Sequence, residues 1–108
     1  MSKDNRKFDL EERLIDFAVR IIRKAESLPK TRVANHISGQ IIRYGTSPAP
    51  NYGEVQSAES RADFIHKMRI CLKELRETRV WLLMIAKTHL IKPKSKLDPL
   101  IDETNELI

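Results

Sequence analysis

Side chains able to do chemistry are few in this 108-residue chain and stand far apart. Asp63-Phe64-Ile65-His66 sets a carboxylate and an imidazole at i and i+3, the spacing with which helical bundles hold a di-metal carboxylate centre. Such a centre needs paired motifs and further inward glutamates. Here the motif occurs once, and helical periodicity turns Asp63 and His66 away from Phe64 and Met68, toward the outside. It reads as surface charge. The single cysteine, Cys71, can form neither an internal disulfide nor, alone, a tetrahedral zinc site, and it falls among apolar positions as a small buried hydrophobe would. His89 lies on an apolar stripe near a helix end, where an imidazole can donate to free carbonyls. His36 has no nucleophile or carboxylate at a useful spacing. Without a glycine-rich phosphate loop, a nucleophile elbow or a Cys/His cluster, the sequence predicts a protein that is not an enzyme and holds no metal or cofactor.

Two polar patterns remain. Ser47, Asn51 and Glu54 recur at i, i+4 and i+7, which places them along the border of one helix face. A cluster of this kind fixes register or satisfies backbone groups freed by a kink; the alternative is a ligand or RNA contact. The second pattern is a segregation of charge: Arg69, Lys73, Arg76 and Lys87 fall on one flank of a long helix, and Glu59, Asp63, Glu74 and Glu77 toward the other. Arg20, Arg23 and Lys24 form a second basic group. Intrahelical pairs such as Lys73 with Glu77 are expected on the long helix. Opposite flanks of opposite sign also suit head-to-tail packing of identical subunits into a closed ring.

The elements that carry these residues are helical. Only 3 glycines and few aromatics, set against 41% apolar and 32% charged residues, favour long helices over strands. A chain of this length predicts one domain over residues 1–108 with a modest core. Twenty Lys plus Arg against fifteen Asp plus Glu give a net charge of +5, a mild and dispersed excess that attracts polyanions. No apolar signal segment follows the charged start Met1 to Lys7, and nowhere do 18 apolar residues run together, so a soluble cytoplasmic protein is expected.

Four helices follow from the periodicity. The first opens at Asp9 with Glu12 as a capping box and ends near Ser27, before Pro29, with Leu10, Leu14, Phe17, Ala18, Ile21, Ala25 and Leu28 on its stripe and Ile15 and Ile22 widening one edge. Thr31 caps the second, whose stripe runs Val33, Ile37, Ile41, Tyr44, Pro48, Asn51, Val55. Because this register survives Pro48 and Pro50, the expectation is a kinked helix or two collinear segments rather than a wide loop. Ser57 or Ser60 caps the third, which reaches His89 or Leu90 with Phe64, Met68, Cys71, Leu75, Thr78, Leu82, Ala86 and His89 on its stripe. From Val80 to Ala86 that helix is apolar all round and needs cover on every side. A chain this short cannot supply all of it, so Val80, Trp81, Leu83 and Met84 are the predicted subunit contact. Asp98 as N-cap with Pro99 at the first position starts the fourth, which ends short of the others, as a trimmed C-terminus would. The fold class is all-α: an antiparallel up-down-up-down four-helix bundle, its second helix kinked near Pro48-Pro50.

Three segments, Arg43-Tyr44-Gly45-Thr46-Ser47-Pro48-Ala49-Pro50-Asn51-Tyr52-Gly53-Glu54, Ala58-Glu59-Ser60-Arg61-Ala62-Asp63-Phe64 and Ile70-Cys71-Leu72-Lys73-Glu74-Leu75-Arg76-Glu77-Thr78, occur in the order and spacing of a known family. From about Phe8 onward the chain resembles the bacterial four-helix bundle proteins encoded by intervening sequences in 23S ribosomal RNA genes. The resemblance implies an antiparallel bundle, commonly a homopentameric ring, and association with ribosomal RNA. It extends to the basic pentameric accessory protein of diversity-generating retroelements, which works with a reverse transcriptase and RNA. The family's recurrent polar residues correspond to Ser47, Asn51, Glu54 and Glu77. Glu74 stands where many members carry a small residue, and Pro48 with Pro50 where many carry one proline.

The function expected is therefore that of a non-enzymatic, homo-oligomeric bundle, pentameric as the resemblance implies, that binds structured RNA through phosphate contacts at Arg69, Lys73, Arg76 and Lys87 and at Arg20, Arg23 and Lys24. The alternatives are an adaptor or accessory subunit that engages a protein such as a polymerase, for example a reverse transcriptase, and a family member with no nucleic-acid role.

Overall fold

In the computed structural model the backbone is described from Asp4 to Ile108 and the side chains from Leu10 onward. The charged start from Met1 to Lys3 lies outside the described residues. Helix α1 spans Asp4–Ser27. It is already formed ahead of the predicted start at Asp9 and Glu12, since nothing between Asp4 and Asp9 is a helix breaker; the Asp9 side chain itself lies outside the described residues. Leu14, Phe17, Ile21 and Ala25 are buried along its inner stripe, whereas Ile15 and Ile22, expected to widen that stripe, are exposed.

Thr31 begins α2 (Arg32–Thr46), its hydroxyl oxygen accepting the Ala34 N–H at 3.2 Å. The buried stripe starts one residue later than predicted: Ala34 is fully buried and Val33 is 62% exposed. One residue, Ser47, separates α2 from α3 (Pro48–Val55), and its φ of −74° and ψ of −32° are themselves helical. This is the predicted break without a wide loop. Neither proline offers an N–H, so two rungs of the ladder are missing, and the ladder resumes where the Asn51 N–H donates to the Ser47 carbonyl at 3.1 Å. At the break, the hydroxyls of Thr46 and Ser47 donate back one turn to the carbonyls of Ile42 and Arg43, each at 2.6 Å. Such back-bonding bends helices.

Of the two predicted caps for α4 (Arg61–Lys87), the structure uses Ser60. Its Oγ accepts the Asp63 N–H at 3.1 Å, and Asp63 Oδ2 in return accepts the Glu59 N–H at 3.2 Å, a reciprocal arrangement that satisfies two otherwise free donors. At the other end the helix closes at Thr88, earlier than expected. His89 takes a left-handed conformation (φ 57°), its N–H donating to the Ala86 carbonyl and that of Leu90 to the Ile85 carbonyl. His89 is thus an exposed backbone terminator, not a core residue.

A single 3-10 turn, Lys94–Lys96, leads into α5 (Asp98–Leu107). The predicted Asp98 cap is displaced by one position: Leu97 is the capping residue, Asp98 is the first helical residue and Pro99 the second. Leu97 is completely buried, and its carbonyl receives the N–H groups of both Leu100 and Ile101, so packing of this leucine sets where the helix begins.

With α2 and α3 serving as one bent helix, the architecture is a four-helix bundle. α1 packs against α2, α3 and α5; α4 packs against the same three from the opposite side. Sequence neighbours run antiparallel, up-down-up-down. Phe17, Ile21, Ile41, Leu82, Ile85, Leu97 and Leu100 form the most deeply buried part of the core. α5 has 10 residues and α4 has 27, about 15 Å against about 40 Å of helix. Running back from the end of α4, α5 stops before the first half of that helix. The predicted core stripe fails there: Phe64 is 47% exposed, and burial begins only at Cys71.

Candidate nucleic-acid interface

The two edges of α4 have different fates. On the edge toward α2 and α3, the carboxylates of Asp63 and Glu74 are engaged within the chain. The Asn51 amide donates to Glu74 Oε1 at 2.6 Å, tying α3 to α4, and Asp63 pairs with Lys67 at 3.0 Å while completing the helix cap. The Lys67 ammonium and the Glu59 N–H together hold the Asp63 carboxyl below its ordinary range. Further along the same edge, Trp81 meets the His36 ring of α2 edge-on, with centroids 5.9 Å apart. Trp81 is half-buried against the core.

The family's four polar positions are not one cluster. Asn51 and Glu54 line a small recess with Lys67 and Ile70, but the Ser47 hydroxyl is spent on its own helix. Glu77 has no side-chain hydrogen bond or ion pair among the described residues, so the expected Lys73–Glu77 pair is not formed. The partner that sequence reasoning passed over is Glu74, one of the positions at which this chain departs from the family pattern.

The outer side of α4 carries Arg69, Lys73, Arg76 and Lys87, all exposed. At 100° per residue, Val80, Leu83 and Met84 fall on this same side, and they are 44%, 38% and 42% exposed. The basic positions and the apolar ones therefore share one surface. By contrast, Leu82, Ile85 and Ala86 of the run from Val80 to Ala86 are buried within the bundle.

The second basic group lies elsewhere. Arg13 of α1 makes two hydrogen bonds to the Glu103 carboxylate of α5, at 2.7 and 3.2 Å. About two and three turns further along α1, Arg20, Arg23 and Lys24 line a groove of about 310 Å³ against Lys96, Pro99 and Leu100 at the start of α5. None of these four cations has a hydrogen bond or ion pair among the described residues. Lys96 was not singled out by the sequence, although the run Lys92, Lys94, Lys96 carried the signal.

No group of His, Cys, Asp or Glu able to hold a metal ion occurs among the described residues, and no helix there is long and apolar enough to cross a membrane. Cys71 is buried, with its Sγ 3.9 Å from the Pro48 carbonyl oxygen; burial, reinforced by the nearby Glu74 charge, pushes its thiol pKa up and away from thiolate chemistry.

The fold and surface thus define a basic four-helix bundle. Residues 6–108 match the family model described as 23S rRNA-intervening sequence protein, and the chain belongs to that family. It is also similar to a crystal structure of a protein of unknown function from the S23 ribosomal protein family of Bacteroides thetaiotaomicron. That chain is 35% identical with a TM-score of 0.83, over 91% of this chain and 90% of the other. No curated protein matches the chain.

Proposed function

We propose that this protein is a non-enzymatic, cytoplasmic, homo-oligomeric bundle that associates with structured RNA, ribosomal RNA in the first instance, through phosphate contacts. One observation carries this reading: the acidic edge of α4 is partly consumed by Asn51 and Lys67, whereas Arg20, Arg23 and Lys24 of α1, the cations of α4's outer side and Lys96 before α5 have no hydrogen bond or ion pair among the described residues. The net charge of +5 is therefore unevenly displayed. Contacts of this type neutralise phosphates, release counterions and read little sequence. The matched family's description, which refers to 23S rRNA, supports the choice of polyanion.

Purification from the native cell at low salt tests the reading. RNA that accompanies the protein and leaves on nuclease treatment or at high salt is the expected result; a preparation free of RNA contradicts it. A second reading, a protein-binding adaptor for a partner such as a polymerase, draws on the exposed Val80, Leu83 and Met84. A partner protein retained after nuclease treatment supports that one. Self-association through the same residues, pentameric by analogy with the resemblance, is part of the leading reading and covers the apolar positions that the bundle leaves open.

A further inference from the structure

We infer that the groove between α1 and the start of α5, walled by Arg20, Arg23, Lys24 and Lys96, is the seat of the RNA phosphate backbone, in preference to the outer side of α4. The inference rests on the RNA reading above and assigns it a place.

Two observations separate the two basic surfaces. The groove brings four cations, unpaired among the described residues, from two elements distant in sequence onto one concavity with no carboxylate in its lining. A concave, one-signed wall focuses potential more than a convex helix face does. On α4 the cations are interleaved with exposed Val80, Leu83 and Met84, a mixture suited to contact with protein.

The groove also differs from a site for a small free anion. A chelated phosphate is held by backbone N–H groups at a helix start. Here those donors are absent or engaged: Pro99 has no N–H, those of Leu100 and Ile101 donate to the Leu97 carbonyl, and Asp98 adds a carboxylate at the first helical position. Only long, flexible side chains remain to meet the ligand. Arg20 and Lys24, one helical turn apart on α1, line the same concavity as Lys96, a spread of cations that suits successive phosphates of a strand. An adjoining recess shares Arg20 and Arg23 and adds Asp16 and the Arg13–Glu103 pair, so the excess positive charge is concentrated at the Lys96 end.

The test is titration of a labelled RNA hairpin by the full chain, by a groove variant (Arg20→Gln, Lys24→Gln, Lys96→Gln) and by an α4 variant (Arg69→Gln, Lys73→Gln, Arg76→Gln). Circular dichroism establishes that each is folded. The groove variant is expected to bind at least about tenfold more weakly, with a salt slope shallower by about 2 to 3, while the α4 variant stays within about threefold of wild type. If the α4 variant loses binding and the groove variant keeps it, the groove assignment is overturned and the RNA reading stands. If the wild-type protein shows no salt-sensitive binding, the RNA reading falls and the assignment with it. Displacement of the hairpin by tripolyphosphate or polyglutamate at equal charge concentration overturns the assignment in favour of a small polyanion or an acidic protein.

Discussion

Arg13 and Glu103 join α1 to α5 through two hydrogen bonds, 2.7 and 3.2 Å long, near the far end of the α1/α5 groove from Lys96. Glu103 is the more buried partner, and paired hydrogen bonds between a guanidinium and a carboxylate are among the stronger polar contacts. With the arginine side chain 43% exposed, solvent screening limits the gain to about 1 kcal/mol. Glu103→Gln should therefore lower unfolding free energy by roughly that amount in urea titration, and should accelerate amide exchange in α5 more than in α1.

Asn51 and Glu74 make the corresponding tie between α3 and α4. Asn51→Leu removes the donor and leaves a half-buried carboxylate without its partner, for an expected loss of about 1 to 2 kcal/mol. The substitution should leave RNA affinity unchanged, because the amide is directed into the bundle's own packing. Urea unfolding and RNA titration on the same variant check both halves of the statement; a folded variant that selectively loses RNA would show that this amide contacts the ligand.

Helices α1 and α2 approach closely at Gly45, where an added Cβ would lie 2.7 Å from Ile21 Cγ1 and 2.8 Å from Ile21 Cγ2. Alanine is the better helix former by about 1 kcal/mol, but overpacking against a fully buried, branched side chain costs about 1 to 3 kcal/mol. Gly45→Ala should thus destabilise. Gly39→Ala, on α2 with open space around the new methyl group, should instead stabilise by about 0.5 to 1 kcal/mol. Thermal melts of the two variants are expected to move in opposite directions.

The apolar side chains on the outer side of α4 give a test of self-association. Trp81→Glu is a poor probe, since the ring also packs on the core and against His36. Val80→Glu and Met84→Glu reach only exposed positions. Light-scattering mass should be a multiple of 12.6 kDa for the wild type, and the double variant should sediment as a folded monomer. A wild-type monomer would leave the exposed apolar positions without this explanation.

Local signals carried much of the architecture. Thr31, Ser60 with Asp63, and the Pro48-Pro50 interruption act through backbone groups a few residues away, so their consequences can be read from the order of residues alone. The misplacements have a tertiary cause. Phe64 satisfies the helical period, but α5 ends before covering it; Asp98 has the chemistry of a cap, but the buried Leu97 takes that position. The Asn51–Glu74 bond and the meeting of Lys96 with Arg20, Arg23 and Lys24 join residues far apart in the chain, and periodicity within one helix contains no information about them. Lys96 lies in the short connection between helices, and its charge joins that of Arg20, Arg23 and Lys24 only when α5 folds back on α1.

The account stands most directly on the salt dependence of RNA binding. Titrating the intact protein with a ribosomal RNA hairpin between 50 and 200 mM KCl should yield a log–log slope of about −3 or steeper, roughly a fiftyfold or greater loss of affinity across that range. A flat salt dependence, or no binding at 50 mM KCl, would contradict it.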